Sequence, residues 1–189
     1  MKLLIIDNFD SFTYNLVQIV EELAIADYSI ETHDKVDIDM VSKFGKILLT
    51  PGPGLPNEHP ILEKVIRKYC SSKSIIGVCL GHQAIGEAFG GTLTNLSDVY
   101  HGVATNCNVL NTTAPLFEGL GNNLEIGRYH SWVIAKENFP ESLEITAEDD
   151  NGFIMGLQHK TFDVQGVQFH PESVLTPQGE AIMRNWLKH

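Results

Sequence analysis

Apolar residues follow two rhythms along this chain, and the change between them falls near its middle. Residues 3–6 form a continuous apolar run, the pattern of a strand covered on both faces of a parallel sheet. Phe12, Leu16, Ile19, Val20 and Leu23 then recur at helical spacing, with Asp10 or Ser11 placed to cap that helix. Strands are expected at 28–32 and 46–49, and a helix at 60–69 whose apolar stripe is Ile61, Leu62, Val65 and Ile66. A fourth buried strand is expected at 74–78, and a helix through 83–85 that stops near Gly90 and Gly91. Strand and helix alternate throughout this half, which predicts an α/β, doubly wound, mostly parallel central sheet with helices on both faces.

Beyond Gly91 the pattern becomes short strand-like segments at 104–110, 143–147, 153–157 and 164–169, separated by Gly, Asn, Pro and Asp turns. Helix returns only at 177–188. The expected sheet is therefore extended by antiparallel strands in the C-terminal half, with the last helix packed back on it. The 189 residues contain no repeat or Pro/Ser-rich linker, so residues 1–189 are read as a single domain.

Composition narrows the function classes. A formal net charge of −11 opposes non-specific binding to nucleic acid or an anionic membrane. The first apolar run meets Asp7 too early for a signal peptide or a membrane span. Cys70, Cys79 and Cys107 are odd in number and lack CxxC spacing, which fits neither a disulfide framework nor a zinc knuckle and points to a reducing cytoplasm. Six of the histidines (His33, His59, His101, His130, His159 and His189) show no His-x3-His spacing, so no metal is expected.

The chemistry concentrates in three short stretches. Ile75-Ile76-Gly77-Val78-Cys79-Leu80-Gly81-His82-Gln83 runs from a buried strand through a Gly-x-Cys-x-Gly turn into a helix, a nucleophile elbow with Cys in place of Ser. Such a turn leaves no room for side chains at the flanking glycines, and it sets Cys79 at a helix N-terminus, where unpaired amides and the dipole favour a thiolate. The competing reading is a Cys that only fills the core. Gln168-Phe169-His170-Pro171-Glu172 places an imidazole and a carboxylate two residues apart. Pro171 biases His170 towards an extended conformation, in which His170 faces the thiol and Glu172 orients the ring; taken alone, the segment also reads as an exposed turn. Thr50-Pro51-Gly52-Pro53-Gly54 forms a stiff loop after the third strand, with amides that can serve an oxyanion hole beside that of Leu80. His82 reads as a hydrogen-bonded structural residue rather than a second base.

Taken together and in order, Gly-Val-Cys-Leu-Gly-His-Gln, Pro-Gly-Pro-Gly and Phe-His-Pro-Glu-Ser resemble the class I (triad-type) glutamine amidotransferases over nearly the whole chain. Asp7-Asn8-Phe9-Asp10-Ser11-Phe12-Thr13-Tyr14-Asn15-Leu16 and Arg128-Tyr129-His130-Ser131 look like the small subunits of anthranilate synthase and aminodeoxychorismate synthase within that family. The resemblance implies Cys79 as nucleophile, His170 as acid and base, Glu172 as its orienting carboxylate, and the amides of Leu80 and Gly54 as the oxyanion hole. It also implies a glutamine pocket of Gly52, Pro53, Gly54, Gln83, Ser131 and Trp132, with no cofactor in this chain. L-Glutamine is the implied substrate. The implied partner is a chorismate-binding large subunit, anthranilate synthase component I or aminodeoxychorismate synthase component I, which receives the ammonia.

Two positions depart from the family. Val103 stands where a Lys is common, which alters any docking contact made there, and Trp132 stands where relatives often carry Leu. Other readings share parts of the pattern. The glutaminase subunit of a GMP synthetase has the same fold and triad, but the Asp-Asn-Phe-Asp-Ser-Phe segment counts against it. A Cys-dependent hydrolase or peptidase on this fold is opposed by His-x-Glu and the proline-glycine loop. A binding protein without chemistry is opposed by the complete triad.

Overall fold

A computed structural model of the chain describes residues 2–189. The first half alternates as its pattern predicts: β1 (Lys2–Asp7), α1 (Thr13–Leu23), β2 (Asp27–Thr32), β3 (Lys46–Leu49), α2 (Pro60–Tyr69), β4 (Ser74–Val78) and α3 (Leu80–Ala88). In β1, Leu3 and Ile5 enter one core while Leu4 and Ile6 enter another, and all four are fully buried. Successive strand side chains point to opposite faces, so an unbroken apolar run is what a strand sandwiched between two helical layers requires.

The second half is built from β5 (Leu93–Asn95), β6 (Val103–Val109), β7 (Asn123–Arg128), β8 (Trp132–Ile134), β9 (Leu143–Asp149), β10 (Ile154–His159), β11 (Val164–Val167) and α4 (Gly179–Lys188). Nine strands form one sheet in the order β2-β1-β3-β4-β11-β10-β9-β6-β7, and β5 pairs with β8 separately. The first five of the nine run parallel and the other four are added antiparallel. One face is covered by α1 and α4, through Leu16, Val20, Met183 and Trp186. The other is covered by α2 and α3, through Leu62, Ile66, Ala84 and Ile85.

Three expectations are corrected. The segment expected at 164–169 among the antiparallel additions is β11, which ends at Val167 and pairs in parallel with β4, Val164 opposite Ile75 and Val167 opposite Val78. The β10–β11 hairpin folds it back into the centre of the sheet, so the stretch after β11 emerges beside the stretch after β4. Neither Asp10 nor Ser11 caps α1. Phe12 holds the cap position, and Asp10 instead closes a turn ahead of the helix, its carboxylate accepting the Phe12 N–H at 2.8 Å. β5, β7 and β8 lay outside the predicted strands because each is short or offers only two or three apolar residues.

The buried Lys46 at the start of β3 ties the last helix down. Its Nζ donates to the Trp186 carbonyl at 2.8 Å and to Ser74 Oγ at 3.0 Å. A cation at a helix C-terminus satisfies a carbonyl that the helix leaves unpaired. Among the described residues, no helix is long and apolar enough to cross a membrane.

Candidate active site

The elbow after β4 has the geometry its glycines imply. A Cβ on Gly77 would lie 2.3 Å from the Gly81 backbone, and one on Gly81 would lie 2.4 Å from the Leu49 carbonyl oxygen. Neither position accepts a side chain. Between them Cys79 adopts φ 51° and ψ −100°, a conformation that costs a non-glycine residue on the order of 1–3 kcal/mol. The Cys79 N–H donates to the Val167 carbonyl at 2.9 Å, which locks the turn to β11. Cys79 is 7% exposed and packs with one core cluster, but core packing alone needs no strained backbone, so the strain favours a chemical role over core filling. The other cysteines differ. Cys70 is half-buried, while Cys107 is fully buried, and burial followed by the nearby Asp149 charge pushes its thiol up to about 12.

His170 and Glu172 follow β11 and are both buried. His170 Nδ1 lies 2.6 Å from Glu172 Oε1, leaving Nε2 as the ring nitrogen available to Cys79. The segment is not extended as expected. The Ser173 N–H and the Thr176 hydroxyl both donate to the His170 carbonyl, closing a turn in which Pro171 holds the second position. The turn brings ring and carboxylate together more directly than a strand would. Burial opposes charge on His170, but hydrogen bonding to Cys79 and Glu172, with their negative charges, outweighs it and raises the imidazole to about 10. Phe12 and Tyr129 wall the ring at centroid distances of 5.2 and 4.8 Å.

Gly52, Pro53, Gly54, Cys79, Leu80, Gln83, Ser131 and Trp132 line one cavity of about 210 Å³, together with Tyr129 and His130. The elbow and the proline-glycine loop thus converge with the Ser131-Trp132 pair on one space, while His170 and Glu172 stand behind it and meet it through Cys79. A cleft of about 280 Å³ near Lys136 and Phe153 contains none of these groups. The Leu80 amide opens α3 and the Gly54 amide lies in the loop; neither has a partner among the described residues. Asn8 holds the loop from below, donating its N–H to Thr50 Oγ1 and its amide to the Thr50 carbonyl.

Five residues outside the predicted site support it. Gln168 is fully buried, and its amide donates to Cys79 Sγ at 3.6 Å while its Oε1 accepts from Gln83 at 3.1 Å. The second Gln83 proton goes to the Trp132 carbonyl at 2.9 Å. That carbonyl also faces His130 Nδ1 at 3.0 Å, and His130 Nε2 accepts from Arg128 Nε at 3.1 Å. Burial, then the Arg128 charge, draws His130 down to about 3, so the ring is neutral and donates from Nδ1. Arg128 itself lies under the Tyr100 ring and is paired with buried Asp149 at 2.6 Å. Gln168 opens the His-Pro-Glu stretch, but nothing in its spacing gives it a role; Arg128 and Asp149 meet only through the pairing of β6, β7 and β9.

The fully buried Arg128–Asp149 pair carries a prediction. Asp149→Ala strands a buried guanidinium and is expected to destabilise the fold by about 3–5 kcal/mol, read from urea unfolding. A loss below about 1 kcal/mol would show that the pair does not hold this wall. His82 lies against Gly166 of β11, where burial lowers its pKa to about 3. It stays neutral, and neither ring nitrogen has a side-chain hydrogen-bond partner among the described residues, so the hydrogen-bonded role expected of it is replaced by packing against β11. Among the described residues, no three His, Cys, Asp or Glu side chains are grouped to hold a metal.

Comparison with known proteins agrees with this geometry. The family model "Glutamine amidotransferase class-I" matches residues 4–189. A Haemophilus influenzae protein provisionally named anthranilate synthase component II is 46% identical over 187 residues, covering 99% of this chain and 96% of its own. The aminodeoxychorismate synthase component 2 of Escherichia coli is 42% identical over 188 residues, covering 98% of each. A solved structure from Thermoplasma acidophilum, of a protein provisionally named as a GMP synthase subunit, has a TM-score of 0.89 and 25% identity, covering 100% of this chain and 92% of that one. With a Cys elbow, a buried His–Glu pair and a common cavity on an α/β sheet, and with that family match over nearly its full length, the chain belongs to the class-I glutamine amidotransferase family.

Proposed function

We propose that this chain is the glutaminase subunit of a chorismate-aminating complex, hydrolysing L-glutamine to glutamate and passing ammonia to a larger chorismate-binding subunit. One observation carries the reading: a strained Cys79 that lines the cavity is backed by the buried His170–Glu172 pair. The full-length relatives at 46% and 42% identity support chorismate amination over the GMP synthetase alternative, whose structural match is 25% identical. The product, anthranilate, aminodeoxychorismate or both, is decided in the partner's active site. We read residues 1–189 as one glutaminase domain acting in the cytoplasm.

In this reading Cys79 Sγ attacks the side-chain carboxamide carbon of glutamine, and the amides of Leu80 and Gly54 hold the oxyanion. Gln83 and the backbone of Gly52, Pro53, Ser131 and Trp132 bind the rest of the substrate. His170 gives its proton to the departing amine, so ammonia leaves and a thioester remains. The raised pKa of His170 now matters. Forming the thioester removes the Cys79 sulfur as a partner, one of the two groups that hold the proton, while burial continues to oppose charge. The imidazole thereby becomes a base that takes a proton from the attacking water, and glutamate leaves. Every step uses protein groups and water, so no cofactor is called for. The test is release of glutamate from glutamine, measured with and without a chorismate-binding partner. No glutamate release under either condition would overturn the reading.

A further inference from the structure

The proline-glycine loop is held by a residue outside it. His59 follows the short 3-10 turn Pro56–Glu58 and is 7% exposed, with Nε2 2.9 Å from the Pro53 carbonyl oxygen. A carbonyl only accepts, so Nε2 carries the proton and donates. His59 Nδ1 faces Nε2 of His33 at 3.4 Å, and the two rings meet edge to face at 4.6 Å. Phe9 packs against His33 in turn, its ring centroid 4.9 Å away. Segments following β1 and β2 thus press one imidazole against one carbonyl of the loop that follows β3.

That contact sets the direction of a different atom. A trans peptide is planar, so the Gly54 N–H points opposite to the Pro53 carbonyl to which it is joined. Gly54 has φ +77° and, as glycine, tolerates φ of either sign, so the loop itself offers little resistance to a flip of this peptide. Anchoring the carbonyl on His59 keeps the N–H facing away from His59. Gly54 borders the cavity that Cys79 and Leu80 also line, and its amide has no partner among the described residues.

We propose that His59, steadied by His33, is a positioning residue for the glutaminase reaction: it pins the Pro53–Gly54 peptide so that the Gly54 amide meets the oxyanion formed when Cys79 attacks. The proposal rests on the glutaminase reading above. An oxyanion donor works chiefly when charge develops, so loss of its support slows turnover more than it weakens substrate binding.

The test compares wild type, His59→Leu and His59→Gln in glutamine hydrolysis, with an aldehyde analogue of glutamine as a second probe. The analogue adds to Cys79 as a thiohemiacetal and places an oxygen in the hole. His59→Leu is expected to lower kcat by about 10- to 100-fold with KM within about twofold, and to weaken the aldehyde in parallel. His59→Gln, whose amide N–H can reach the same carbonyl, restores most of kcat. Undiminished kcat in His59→Leu, or equal losses in both variants, overturns the proposal while leaving the glutaminase reading intact. A wild type that releases no glutamate either with or without the chorismate-binding partner overturns both. Nitrogen NMR of the wild-type imidazoles provides a reading that no variant's folding can disturb: a proton on Nε2 of His59 is expected, and a neutral ring protonated on Nδ1 alone overturns the proposal.

Discussion

Cys79→Ala is expected to abolish glutamine hydrolysis, lowering its rate on the order of 10⁵-fold or more while the fold persists. The magnitude follows from removing the nucleophile of a covalent route, after which only binding and the oxyanion donors remain to speed attack by water. Alanine keeps the Cβ and with it the positive-φ strain, and the lost sulfur opens no large cavity, so stability is expected to change little. Two readouts separate loss of chemistry from loss of structure. Free ammonium supplied to the proposed complex is expected to support amination of chorismate at the wild-type rate, because the proposed function assigns that step to the partner. An electrophilic glutamine analogue is expected to label wild type once, at residue 79, and to leave the variant unlabelled. Cys107, fully buried with its thiol held near 12, offers no competing site. Glutamate release that survives Cys79→Ala would remove Cys79 from the mechanism.

The parts of the site legible in the sequence are those where a local motif contains its own reason. Gly77 and Gly81 are needed because the backbone crowds them, and the turn they allow sets out Cys79 wherever the sheet is placed. Likewise the bounds of β3, α2 and β4 follow from apolar runs and a proline at the helix start. His170 and Glu172 were paired for the wrong local reason. The segment is a turn, made by donors to the His170 carbonyl from Ser173 and Thr176, which spacing alone does not reveal. Other supports depend on contacts between distant segments. Asp149 reaches Arg128 across 21 positions because β6 pairs with both β7 and β9, and Gln168 reaches Cys79 across 89 because β11 returns to the centre of the sheet beside β4. His59 reads as an isolated histidine until β1, β2 and β3 place their following loops together. Non-local strand order is what single-sequence periodicity carries least, and here strand order assembles the site.

Glu172→Gln tests the electrostatic half of the mechanism and is expected to lower kcat by up to about 10⁴-fold, the scale on which a triad loses activity when its carboxylate no longer fixes the tautomer. The amide keeps the shape of the buried carboxylate, so the loss is one of charge and orientation. A pH signature accompanies it. In wild type the folded protein holds the His170 proton more tightly than the unfolded chain, whose imidazole titrates near 6.5. The stabilisation this confers is complete below about pH 6.5 and is lost as pH rises through about 10. Removing the carboxylate deletes one of the two influences that raise the imidazole and leaves burial pulling it down. The His170 titration of the variant is therefore expected to move to lower pH, and the alkaline loss of stability with it. Ring-proton NMR between pH 6 and 11 gives the first, and urea unfolding over the same range gives the second. A titration unmoved by the substitution would mean that Glu172 orients the ring without holding its charge, and the low activity would then be a matter of geometry alone.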